Sequence, residues 1–234
     1  MADGPASQTL SRGVRILEIL SDTRGALSID DIAGRLGVHR SIAYRLLRTL
    51  EDHGLVVRDA SGLAALGPRM AALAAGVAHD LQAEALPELT AVANDLGMTC
   101  FLAVLDGREC ITLTSVEPRH TVASVAQRPG ARHPVTVGAP GKAILAQLAD
   151  AEWADWGERG DELRAEVALV RSQGHATSHD EVIPTVQSVA VPLELRGQRP
   201  AALAVVHVAS AFTDEEIAVR LQRSARTIRD ALGG

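Results

Sequence analysis

Aromatic side chains are scarce in this chain of 234 residues, with two Trp, two Phe and one Tyr making up 2% of it. Any core must therefore be filled by small aliphatic side chains, which the 47% hydrophobic content can supply for one or two globular domains. Lysine is almost missing: Lys142 stands alone against 22 arginines. With 29 acids and a net charge of −6, a histone-like binder is excluded. Any partnership with nucleic acid must depend on where the arginines sit, because local potential does the steering. Cysteine is reduced to Cys100 and Cys110, too few for a disulfide framework, and both read as buried small hydrophobes. No CxxC, HExxH or Cys/His cluster occurs, so neither metal nor cofactor is expected. No run approaches the roughly 20 apolar residues of a membrane span. The opening MADGPASQTL lacks the basic and apolar regions of a signal peptide, so the expected location is cytoplasmic, with no membrane partner.

What is present divides near residue 70. The first 70 residues carry nine arginines and eight acids, whereas the remainder has a net charge of −7. Leu66-Gly67-Pro68 marks the join, with a proline suited to a helix's first turn. The alanine-rich stretch from Met70 to Ala85 reads as a helical linker. The expected organisation is a first domain over 1–68, a linker over 69–84 and a second domain over 85–234.

Three helical patterns follow one another in the first part. Leu10, Gly13, Val14, Leu17 and Leu20 form one stripe, while Ile16 and Ile19 lie off its centre. The extra apolar arc implies either a helix buried on two sides or a contact of Ile16 and Ile19 with a second subunit. Ser28 with Asp31 forms a capping-box start for a helix carrying Ile29, Ile32, Ala33 and Leu36, which Gly37 stops. The third pattern runs from His39 to Leu50 and ends by Gly54. Wound at 100 degrees per residue, it gathers Ile42, Ala43, Leu46, Leu47 and Leu50 on one side. Arg40, Ser41, Tyr44, Arg45 and Arg48 take the other.

A helix, a tight turn and a second helix with a basic outer face is the arrangement that places a recognition helix in the major groove. The two apolar runs Leu55–Arg58 and Leu63–Leu66, joined through Asp59–Gly62, read as the small hairpin of a winged helix-turn-helix. His39, Arg40, Ser41, Tyr44 and Arg45 are the candidate groove or phosphate contacts on double-stranded operator DNA. Arg48 and Arg58 are expected on the DNA backbone. A winged helix also serves as a protein-interaction module, and that reading stays beside the first.

Cys100–Leu105 with Cys110–Val116, and Val189–Leu195 with Ala201–Val208, read as two hairpins. With Thr121–Val125 they suggest about five short, mostly antiparallel strands. Helices are expected at Pro87–Asn94, Gly141–Ala149, Asp161–Gln173 and Thr213–Leu232. GAPGK at 138–142 lacks the spacing and the Ser or Thr of a phosphate loop, so nucleotide hydrolysis is set aside. Lys142 is then structural, or draws an anion at a helix start. His207 alternates with apolar neighbours, either as a satisfied core histidine or as a pH-sensitive pocket group. A small-molecule enzyme is the rival class, since Ser188, His175, His179, Asp180 and Glu181 are chemically capable. No GxSxG elbow or oxyanion signature orders them, so the expectation is not an enzyme.

The runs SRGVRILEIL, LSIDDIAGRLGVHRSIAYRLLRTLEDHGLVVRD and LGPR resemble the amino-terminal domain of the IclR family of bacterial transcriptional regulators. FLAVLDGREC, GKAILA, the Asp180-Glu181 segment and VAVPL extend that similarity over nearly the whole chain. The resemblance implies an α+β protein with an amino-terminal winged helix-turn-helix domain, a helical linker and a carboxy-terminal GAF-like α/β effector-binding domain with an antiparallel sheet. It also implies a homodimer or tetramer whose operator affinity responds to a small organic effector, aromatic or acidic. Carried over position by position, the implied effector-binding residues are Ala139, Pro140, Gly141, Asp180, Glu181, Ser188, Ala204 and Val206. The chain departs from the family pattern at Ser188, where cysteine is usual, at Thr185, where glycine is frequent, and at Ala204 and Val206, where serine is common. Fewer hydroxyl donors favour an effector with an apolar or aromatic body over a very small polar acid.

Overall fold

The computed structural model describes residues 7–23, 25–119, 125–153 and 160–233, which fall into two units, 1–77 and 78–234. In the first unit α1 (Gln8–Asp22) begins where the Ser7 hydroxyl accepts the Leu10 N–H. Gly13, Ile16 and Leu20 are its buried residues, and at 100 degrees per residue they lie within about 60 degrees of one another. Leu10 and Val14, expected inward, are 68% and 48% exposed. The surplus apolar arc is therefore real but lies on the opposite edge from Ile16, which anchors the core.

The capping box of Ser28 and Asp31 starts α2 (Ile29–Leu36), and Gly37 ends it in the left-handed region at φ 69°. His39 then caps α3 (Arg40–Asp52), which buries Ala43, Leu47 and Leu50. β1 (Val56–Arg58) and β2 (Ala64–Leu66) pair antiparallel as the wing. At its tip the Asp59 carboxylate accepts the Ser61 hydroxyl and the Ser61 and Leu63 N–H groups, which hold its pKa below the ordinary range. Gly67 is required by a close chain crossing, since a Cβ there would stand 2.3 Å from the Gly54 carbonyl oxygen.

The stretch expected as one linker helix is two: α4 (Arg69–Ala74) and α5 (His79–Leu96), with Ala78 at φ 46° before the second. Helix α5 starts eight residues ahead of Pro87, the expected first residue. Pro87 has no N–H to give the Ala83 carbonyl, but burial of Leu81, Ala85, Leu89 and Val92 carries the helix through it.

The second unit is built on a six-stranded antiparallel sheet. Its strands are β3 (Thr99–Asp106), β4 (Glu109–Val116), β5 (Arg132–Pro134), β6 (Ala176–His179), β7 (Gln187–Leu193) and β8 (Ala201–His207), in the order β5-β4-β3-β8-β7-β6. Both expected hairpins are present. The expected strand at Thr121–Val125 lies outside the described residues except for Val125, which is in no strand. The short edge strands β5 and β6 were not expected, because three or four residues give no readable alternation.

Strand alternation sends Cys100, Leu102, Leu203 and Val205 to one face, under α5 and α9 (Asp214–Ala231). Phe101, Ala103, Ala204 and Val206 face α6 (Gly138–Leu145) and α8 (Gly160–Gln173), while the short α7 (Asp150–Trp153) adds Trp153 to the same core. Helix α6 begins three residues earlier than expected, so GAPGK is its first turn and not the loop before it. Both cysteines are free and buried, and burial pushes their thiol pKa values far up, which leaves them inert packing groups. Among the described residues no helix is long and apolar enough to cross a membrane.

Candidate nucleic-acid interface and small-molecule pocket

The outer side of α3 exposes Arg40, Ser41, Tyr44, Arg45 and Arg48, next to the cap residue His39. The His39 Nδ1 accepts the Ser41 backbone N–H, so the neutral ring carries no proton there, and the Ser41 hydroxyl 2.9 Å away donates to the same lone pair. His39 Nε2 is left turned outward as a donor. Arg40 stands 3.3 Å from Asp30 in an exposed pair of the kind that contributes little and yields readily to a phosphate. Arg45 and Arg48 have no side-chain partner among the described residues.

Arg58 is different from the backbone contact expected of it. Its Nη2 lies 2.9 Å from Glu51 Oε2, with the guanidinium carbon 5.3 Å from the Tyr44 ring centroid. Only 19% of its side chain is exposed, so the wing arginine joins the hairpin to α3. Tyr44 is thereby held by the same contact, which no local spacing announces.

In the second unit a cavity of about 40 Å³ opens on the sheet face covered by α6. Pro140, Ser188 and Val206, three of the expected residues, line it. Phe101, Gln127, His133, Gly138 and Ser178 line it as well, with Val182, Ile183 and Val186 of the β6–β7 connection. Sequence reading missed these eight. Phe101 and Val206 share a face by alternation, which was legible, but His133 sits on the unexpected β5.

The remaining expected residues have other places. Ala139, Gly141 and Ala204 are buried beside the cavity without lining it. A Cβ on Gly141 would meet the Val135 carbonyl oxygen at 2.1 Å, so this glycine lets α6 pack against the backbone. Asp180 is exposed, paired with His179 at 2.9 Å and accepting the Thr185 N–H. Glu181 lies behind the lining: its Oε2 accepts the Gly138 N–H at 2.8 Å, and its Oε1 is 2.6 Å from Lys142 Nζ.

Lys142 is buried, with Glu166 Oε2 at 3.3 Å and the Thr177 carbonyl at 3.4 Å as its other neighbours. Its ammonium is thus engaged inside the fold, which corrects the reading in which it draws an outside anion. His133 Nδ1 lies 3.0 Å from the Pro134 carbonyl, an oxygen that only accepts, so that nitrogen bears the proton. Burial lowers the His133 pKa, against the upward pull of the Pro134 carbonyl, Glu109 and Glu181. The ring is neutral at pH 7 and keeps a lone pair on Nε2. His207 meets neither expectation: by alternation it faces α5 and α9, away from the cavity, and both ring nitrogens are buried without partners among the described residues.

Of the residues of the enzyme reading, His179 and Asp180 form an exposed pair, while the others have separate partners. Ser188 donates its hydroxyl to the Val205 carbonyl at 2.8 Å, Glu181 is bound to Gly138 and Lys142, and the His175 Nδ1 lies 3.4 Å from the Gln173 carbonyl. A nucleophile whose proton is spent on a strand carbonyl lacks the neighbouring base such chemistry needs.

Comparison with known proteins covers both units. The IclR helix-turn-helix domain model matches residues 9–60, and the bacterial transcriptional regulator IclR C-terminal model matches residues 74–231. The HTH-type transcriptional regulator XynR of Escherichia coli is 30% identical, with 98% of each chain covered. The transcriptional repressor IclR of the same organism is 25% identical over 100% of this chain and 94% of its own. Among solved structures, an IclR transcriptional regulator from Alicyclobacillus acidocaldarius is 30% identical, with a TM-score of 0.85 over 98% of this chain and 100% of that one. An IclR homologue from Microbacterium hydrocarbonoxydans complexed with 4-hydroxybenzoate is 26% identical, with a TM-score of 0.83 over 97% of this chain and 99% of that one.

Proposed function

The chain belongs to the IclR family of bacterial transcriptional regulators, and from that premise we propose that it reads double-stranded operator DNA through α3 while the cavity under α6 senses a small organic molecule. The observation that carries the DNA half is the pair Arg45 and Arg48, exposed and without side-chain partners among the described residues, on the helix that follows the left-handed turn at Gly37. Arginine reads guanine O6 and N7 with its planar fork, and it clamps phosphate equally well. His39, Arg40, Ser41 and Tyr44 extend the same surface. Arg58 acts from inside, fixing Tyr44 and the wing on the recognition helix.

The sensor half rests on the apolar cavity, whose lining joins Phe101, Pro140 and Val206 to a few polar groups, as binding pockets do. The 4-hydroxybenzoate held by the Microbacterium homologue supports an aromatic body for the effector. Leu10 and Val14 are the exposed apolar residues of α1, which a second copy would cover, consistent with a homodimer or tetramer. The protein works in the cytoplasm and catalyses no reaction in this reading.

Fluorescence anisotropy with DNA from upstream of its own gene tests the DNA half. Arg45→Ala and Arg48→Ala should each weaken binding and lower the slope of log affinity against log salt by about 1. Equal binding by the wild type and the double variant overturns the assignment.

A further inference from the structure

A wider hollow than the cavity under α6 lies where β7 outruns its edge neighbour. Strand β6 pairs only with residues 187–190, so among the described residues β7 continues to Leu193 with no strand on that side. The C-terminal half of α9 flanks the gap. Two adjoining hollows of about 260 and 420 Å³ open there and share Glu194 and Arg229. Gln222, Arg226 and Arg229 stand at i, i+4 and i+7 of α9, within about 60 degrees of one another, so a single stripe of the helix forms one wall. The Gln222 amide N–H donates to the Gly174 carbonyl at 3.2 Å, which ties that wall to the end of α8. Arg196, in the turn between β7 and β8, lines the other end.

The arginines of this groove differ from their neighbour Arg220, which is bound to Asp95 and Ser224. Arg196 and Arg226 have no side-chain partner among the described residues. Arg229 approaches only the adjacent Asp230, at 3.6 Å in an exposed pair that contributes little. Among the described residues Glu194 is the only acid lining either hollow, and it forms no ion pair with the three guanidiniums. A positive groove thus stands in a part of the chain whose net charge is −7, and a concave low-dielectric wall concentrates such a local potential. The dipole of α9 favours a cation in its last turn, which accounts for Arg229. It does not account for Arg226, a turn earlier, or for Arg196, which lies outside the helix.

We propose that this groove is a second ligand site, separate from the cavity under α6, and that it takes a small polyanion carrying at least two phosphate or carboxylate groups. Arginine's planar fork meets either group with two parallel hydrogen bonds. Arg226 and Arg229, one turn apart on the same stripe, receive the first group, and Arg196 receives the second. Glu194, exposed and unpaired, sets the two apart by repelling an anion placed directly against it. Hollows of this size hold small molecules. Both sites bear on one strand: Ser188 near the start of β7 lines the cavity, and residues 191–194 at its end line the groove.

Isothermal titration of the full chain with pyrophosphate and with citrate, at constant low ionic strength, tests this. The arginines of α3 also attract anions, so two double variants are compared, Arg226→Gln with Arg229→Gln and Arg45→Ala with Arg48→Ala. The groove variant should bind the better of the two anions at least about tenfold more weakly than the wild type, while the α3 variant keeps the site. Whichever anion binds more tightly tells whether phosphate or carboxylate is the group recognised. Arg226 is exposed, so Arg226→Gln alone keeps the fold and should still weaken binding, whereas Arg223→Gln, exposed on α9 outside the groove, should not. Binding lost from the α3 variant and kept by the groove variant places the anion on the DNA-reading surface and overturns the proposal. Equal losses from Arg223→Gln and Arg226→Gln overturn it as well, since they mark unspecific surface charge. Absence of binding by both anions also overturns it, and leaves the DNA and cavity readings standing.

Discussion

His207 shows what one buried side chain does when it has no partner. Burial lowers its pKa, opposed by the nearby Asp214 carboxylate, and its two ring nitrogens find nothing to bond among the described residues. A folded pKa below the ordinary value of about 6.5 means that the unfolded chain takes up the proton first as pH falls. The histidine's contribution to stability is therefore complete above that value and is lost on acidification toward the lower folded pKa. His133 carries the same sign, since burial lowers it as well. The melting temperature should fall between pH 7.5 and 5.5, and His207→Leu should make the fall shallower without lowering the value at pH 7.5, because two unsatisfied nitrogens are removed. Identical slopes for the two proteins would show that this ring does not titrate in that range. Thr185 is a second residue whose place was partly visible beforehand. It replaces a glycine frequent in the family, and it adopts φ 67°, a region that strains a β-branched side chain. The Thr185 N–H given to Asp180 is what holds it there.

At the level of elements, the helices that announce their own starts were the ones read correctly. Ser28 with Asp31 and Thr213 with Glu216 both form complete capping boxes, because the signal lies within four residues and needs no tertiary partner. Ser28→Ala removes the hydroxyl that accepts the Asp31 N–H and should cost about 1 kcal/mol in urea unfolding of the DNA-binding unit. An unchanged midpoint would mean that helix α2 takes its stability from packing alone. The Ser28 bonds also hold the Asp31 pKa below the usual carboxylate range, so this cap weakens in acid. Elements whose identity depends on distant residues were misread. Helix α5 runs through Pro87 because its buried face outweighs one missing hydrogen bond, and β5 exists only through its pairing with β4. On α1 the apolar pattern was broad enough to fit either face, and only the neighbouring helices select Ile16 over Leu10 and Val14. The cavity was half legible for the same reason. Pro140, Ser188 and Val206 came with the family resemblance, while the pairing of Lys142 with Glu181, 39 residues away, is written nowhere in local spacing.

In the whole molecule, the DNA-reading surface and the cavity belong to different units, so regulation requires a free energy of coupling between two binding events. Coupling of this kind is reciprocal: if an effector changes operator affinity by some factor, operator DNA must change effector affinity by the same factor. Typical couplings lie between about 1 and 3 kcal/mol, or roughly 5- to 150-fold. On the proposed assignment the arginines of α3 are the contacts in either state, so the effector should change the affinity at fixed salt while leaving the salt slope nearly constant, since that slope counts phosphates and not conformations. Titrating a ligand found for the cavity into the free protein and into the operator complex, and the operator into free and liganded protein, measures both sides of the cycle. Equal factors with parallel salt plots are the expected result. A changed slope would mean that the ligand alters which arginines touch the backbone, and a factor of one in both directions would sever the cavity from DNA binding.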